Sequence, residues 1–105
     1  MARRIDIRLV FRQRLEEARL KSQLSQKKLG IQAGLDPSVA STRINRYELG
    51  VHEPDMATVQ RLAETLSVPT AYLFADDDRL ARMILAFNKL SIADKERLLK
   101  AAGSE

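Results

Sequence analysis

Side chains able to make several directional hydrogen bonds gather in two stretches of this sequence, Gln26-Lys27-Lys28 and Ser38 to Arg46. The second includes Ser38, Ser41, Thr42, Arg43, Asn45 and Arg46, so it offers hydroxyls, an amide and two guanidinium groups. These are groups for recognition: short hydroxyls approach base edges closely, an Asn amide suits adenine, and Arg suits guanine or phosphate. Covalent chemistry has no comparable cluster. Cys is absent and His52 is the single histidine, which excludes disulfides, thiolate nucleophiles and a zinc cluster. No Ser or Asp stands in a recognisable nucleophile setting, so no enzyme activity and no cofactor are expected. The acidic run Asp76-Asp77-Asp78 lacks the glycine turn and spaced oxygen ligands of a calcium or magnesium loop. It reads as a helix start, and no metal is expected. His52, beside Glu53, reads as a surface residue or a phosphate contact.

The elements that must hold these groups are helical throughout. Leu9, Phe11, Leu15, Ala18 and Leu20 predict a first helix from Ile7 to Lys21, its Arg and Glu residues on the wet side. Ser25 caps a second, Gln26 to Ala33, with Leu29 inward and Gly34 after it as a residue able to take positive φ. Asp36-Pro37 signals the start of a third helix that ends near Gly50. At 100° per residue, Ala40, Ile44 and Tyr47 share its inner face. Ser38, Thr42, Asn45 and Arg46 then point outward, with Ser41 and Arg43 on the flanks. Met56, Val59, Leu62, Ala63 and Leu66 form the stripe of a fourth helix, and Pro69 opens a short fifth through Tyr72 and Phe74. A sixth runs from Arg79 to Lys89, and a capping-box start at Ser91-Ile92-Ala93-Asp94 opens a seventh. No strand pattern survives, and the class is all-α.

Charge separates the two halves. Residues 1–50 carry eleven Lys/Arg against five Asp/Glu, and residues 51–105 carry seven against nine. The basic half is the half with the recognition groups, which is the footprint expected for phosphate binding. With 105 residues, the chain is long enough for one helical core. Its apolar runs are too short to span a bilayer, and Arg8, Arg12 and Arg14 interrupt any leader. A cytoplasmic location is expected.

The motif residues resemble the lambda-repressor/Cro-like, or XRE-type, helix-turn-helix family of regulators. The likeness runs from Leu9 to Phe74 and includes Arg19, Leu24-Ser25-Gln26, Leu29, Ala33-Gly34, Ile44, Tyr47-Glu48, Gly50, Pro54 and Leu62 to Pro69. It implies a five-helix DNA-binding fold with the third helix as the recognition helix, followed here by two additional helices. It also implies that Gln26 contacts phosphate and braces that helix, with Lys27 and Lys28 beside it. Arg19 and Glu48 become a largely buried ion pair. Gly30 stands where the family usually has Ala and would allow close approach of the second and third helices. Glu48 lies farther from Gly34 than is usual in the family, and the extra residues fall near Leu35-Asp36-Pro37-Ser38. The start signal there favours a longer third helix over a longer turn.

The division expected is therefore 1–75 for DNA binding and 76–105 as a helical extension. Leu80, Met83, Ile84, Phe87 and Leu90 line one side of the sixth helix, with Ile92, Leu98 and Leu99 on the seventh. So many large apolar groups on two short helices need a cover. The five-helix core of the same chain is one such cover; the favoured one, a two-fold interface with Tyr72 and Phe74 contributing, would make a dimeric repressor on double-stranded DNA. The alternative is an antitoxin-like module whose C-terminal helices bind a partner protein.

Overall fold

The computed structural model describes residues 5–104; of the ranges above, residues 1–4 and 105 lie outside it. The elements run α1 (Ile7–Lys21), α2 (Gln26–Gln32), α3 (Ala40–Leu49), α4 (Met56–Leu66), a 3₁₀ turn η1 (Thr70–Phe74), α5 (Asp78–Asn88) and α6 (Ile92–Ala101). Side-chain oxygens start most of them. Asp6 accepts from the Arg8 N–H, Ser25 from Lys28, Asp55 from Thr58, Asp77 from Arg79 and Leu80, and Ser91 from Asp94. Each bond satisfies a donor that the first helical turn leaves free.

One large side chain from each of the first five elements is fully buried: Leu15, Leu29, Ile44, Leu62 and Leu73. That shared core is what fixes α2 and α3 relative to α1 and α4. Beyond η1 the pattern changes. Ala81 is the buried residue of α5, and α6 has none. Only α5 rests on the body, against η1, whereas α6 makes no substantial contact with another element. The radius of gyration is 15.4 Å, above the roughly 13 Å of a compact chain this long, because the α5–α6 arm projects.

Four sequence expectations are corrected. The third helix begins at Ala40, not at Asp36-Pro37. The Asp36 carboxylate accepts from both the N–H and the hydroxyl of Ser38, and the Val39 N–H donates to the Asp36 carbonyl. Asp36 thus closes a turn, and the extra residues lengthen the turn. Met56, Leu9 and Leu20, placed on inner faces, are exposed, and Val10 and Arg14 take the inner positions on α1. Tyr72, offered as interface, is buried in the chain's own core. Ile84 is half-buried and packs on that core with Leu85, so only part of the α5 stripe stays free.

Candidate nucleic-acid interface

The α2–α3 unit is built around Gly30. A Cβ on Gly30 would stand 2.7 Å from the Ala40 Cβ and 2.9 Å from the Ala40 carbonyl oxygen, closer than carbon atoms pack. The missing side chain lets the first turn of α3 lie directly on α2. Gly34, at φ +92°, makes the exit from α2, where the Leu35 N–H donates to the Gly30 carbonyl. Arg61 of α4 ties this turn down, its Nε donating to the Ala33 carbonyl at 3.0 Å. Gly50, at φ +75°, ends α3.

On α3, Ala40, Ile44, Tyr47 and Glu48 are buried, while Ser41, Thr42, Arg43, Asn45 and Arg46 are all exposed. Lys27 is exposed at the start of α2 beside Lys28. Ser38 is exposed too, but it sits in the turn before α3 and its hydroxyl is 2.6 Å from the Asp36 carboxylate. The Ser38 hydroxyl and N–H hold the Asp36 carboxyl below its ordinary range, which keeps a negative charge beside Ser38. Ser38 is therefore not an outward residue of the helix.

Behind the exposed face runs a charged chain of hydrogen bonds. Arg19 Nε and Nη2 donate to the two oxygens of Glu48 at 2.6 and 3.0 Å, and Nη1 donates to the Leu24 carbonyl at 3.0 Å. The pair is enclosed, with side chains 11% and 2% exposed. The hydrogen bond to Glu48, opposed by burial, raises the Arg19 guanidinium above its already high range. Gln26 Nε2 donates to Glu48 Oε1 at 3.0 Å and to Asn45 Oδ1 at 3.2 Å. A carboxylate only accepts, so Glu48 dictates which end of the Gln26 amide faces it. Both Gln26 amide hydrogens thereby reach protein acceptors, which braces α3. Among the described residues, the amide nitrogen of Asn45 and the carbonyl oxygen of Gln26 have no hydrogen-bond partner.

Two anchoring residues escaped the sequence reading. Arg61 is one. Arg14 is the other: read as wet, it is buried, donating to the Ala75 carbonyl at 3.0 Å and to Asp78 at 3.0 Å. Its guanidinium lies over the Tyr72 ring, 5.8 Å from the centroid. It fastens the end of η1 and the start of α5 to α1. Nothing in local sequence distinguishes either arginine from its solvated neighbours. Among the described residues no His/Asp/Glu group could hold a metal, and no helix is long and apolar enough to cross a membrane.

Known proteins show the same architecture. No curated protein gives a significant match. The crystal structure of the transcriptional regulator BswR superposes with a TM-score of 0.81 at 40% identity, over 88% of this chain and 91% of that one. A family model described as a helix-turn-helix domain matches residues 13–79, which takes in α2, α3 and the bonds that hold them. The chain belongs to the helix-turn-helix family.

Proposed function

We propose that this protein is a sequence-specific DNA-binding transcriptional regulator, a repressor that acts as a dimer with α3 in the major groove. The observation that carries the reading is α3 itself: five adjacent-face polar residues exposed on a helix whose other face is locked to the core. Family membership and the likeness to a transcriptional regulator support it. Thr42, Asn45 and Arg46 are assigned to base edges, and Lys27, Ser41 and Arg43 to positioning on the backbone. Residues 1–75 are assigned to DNA binding and 76–105 to pairing of the chains.

Titration against an operator selected from random DNA tests this. Arg46→Ala is expected to cost about 1–3 kcal/mol in operator binding, and Thr42→Ala to change base preference. Wild-type affinity should fall steeply with added salt. Two variants with unaltered affinity and base preference would remove α3 from this role.

A further inference from the structure

A cavity of about 350 Å³ opens between the start of α1, the α3–α4 connection and η1, on the side of α3 away from its exposed polar residues. Ligand pockets of this order combine apolar walls with a few convergent polar groups. Here the walls are Phe11, Phe74, Val59 and Met56, and Phe11 stacks on Phe74 at 5.6 Å between ring centres. Three polar side chains on its lining, those of Arg12, Tyr47 and His52, have no hydrogen-bond partner among the described residues; of these, Arg12 and Tyr47 are the ones that flank the Phe11 wall and the end of α3. Arg12 lies across Gly50, where a Cβ would come 2.9 Å from Nη1, so the glycine leaves room for the guanidinium. The acidic residues at the mouth are already engaged: Arg8 reaches Asp6 at 3.0 Å and Glu53 at 3.5 Å.

We propose that this cavity binds a small monoanion with an apolar body, its carboxylate on Arg12 and Tyr47 and its hydrocarbon part on the Phe11–Phe74 wall. Arg12, the arginine of the lining without a partner among the described residues, matches one negative charge. Asp6 and Glu53 at the mouth disfavour a multiply charged ligand such as a nucleotide. Tyr47 and Gly50 belong to the last turn and cap of α3, so an occupant touches the helix from behind. Occupancy is then linked to operator affinity, a consequence that rests on the DNA-binding reading above.

Calorimetry of the full chain without DNA, using 4-phenylbutyrate and octanoate as probes, tests the site. Saturable binding of one molecule per chain is expected, with 4-phenylbutyramide, the neutral analogue, weaker by about tenfold or more, the loss of a charge-assisted bond. Arg12→Gln should bring the acid down to the level of the amide, and Tyr47→Phe should give a smaller loss. Amide NMR shifts should cluster at Phe11, Tyr47, Gly50 and Phe74. The proposal is overturned if neither acid binds at millimolar concentration, if acid and amide bind equally, or if the shifts fall on α5 and α6. The acid–amide comparison needs no variant, so a misfolded Arg12→Gln protein does not spare the idea. Operator titration runs separately: its failure with ligand binding intact would sink the DNA reading and leave the site.

Discussion

Arg19 and Glu48 do two jobs that a pair of substitutions separates. Enclosed charges cost desolvation, and removing one partner leaves the other unpaired. Arg19→Met is therefore expected to destabilise the fold by about 3–5 kcal/mol, read by denaturant unfolding; a loss under roughly 1 kcal/mol would mean that the pair behaves as a surface one. Arg19→Met with Glu48→Leu should recover most of that stability. It should not recover operator binding, because Gln26 loses the carboxylate that orients it and Asn45 loses its brace. A double variant that is both stable and tight-binding would show that the hydrogen-bond chain has no part in recognition. The pair was legible through family resemblance alone. Arg14 was not legible, since its partners at Ala75 and Asp78 lie 61 and 64 positions away and an arginine on an amphipathic helix ordinarily faces water.

Among the elements, α2 and α3 depend on their closest contact. Gly30→Ala would gain about 1 kcal/mol of helix propensity but would drive a methyl into Ala40 Cβ and its carbonyl, 2.7 and 2.9 Å away. Overpacking of this kind costs about 1–3 kcal/mol, so a net loss of stability and of operator affinity is expected. Ala40→Gly in the same chain should restore part of both, and a Gly30→Ala protein with a raised melting temperature would refute the contact. The helix starts carry a pH dependence. Asp6 is held below the ordinary carboxylate range by the Arg8 side chain, Asp55 by the Thr58 N–H and Asp77 by the Leu80 N–H. A depressed folded pKa gives stability that is complete above the unfolded value, about 3.9, and lost as pH falls through the folded values. Melting temperature should thus be level from neutrality to about pH 5 and drop below about pH 4. Asn at all three positions, an equally good cap, should make that drop shallower; an unchanged acid slope would place its origin elsewhere. Ser25 and Ser91 were readable as caps because each stands beside a periodic apolar run, and Asp76-Asp77-Asp78 was readable as a helix start; Asp6 and Asp55 were not read as caps. Asp36-Pro37 carries the same local signal, yet Ser38 captures the Asp36 carboxylate first. Local propensity does not reveal which donor wins.

At the scale of the whole molecule, the five-element core is self-contained and the arm is not. Ile92 is 80% exposed, Leu80 and Met83 are about half exposed, and Leu99 is exposed beside them. Phe87 and Leu98 are half-buried, and Phe87 shares a cleft of about 340 Å³ with Pro69, Met83, Ile84 and Lys95. Periodicity marked these residues as needing cover, but it could not show that Ile84 and Tyr72 would be used within the chain, because tertiary packing makes that division. A second copy is the cover that suits the proposed function. Palindromic half-sites about 34 Å apart need two recognition helices on a two-fold axis, and one module alone buries too little DNA surface for genomic specificity. Arg14, bonded to Ala75 and Asp78, would hold the arm, and so the axis, in fixed relation to α3. Met83→Glu with Leu99→Glu is expected to give a folded monomer in sedimentation, since neither residue is in the core. Its affinity for the full operator should fall far more than its affinity for a single half-site. A variant that remains dimeric would move the two-fold interface off the arm. If the wild type is itself monomeric and recovers a stoichiometric protein partner that the variant loses, the arm serves the antitoxin-like reading instead.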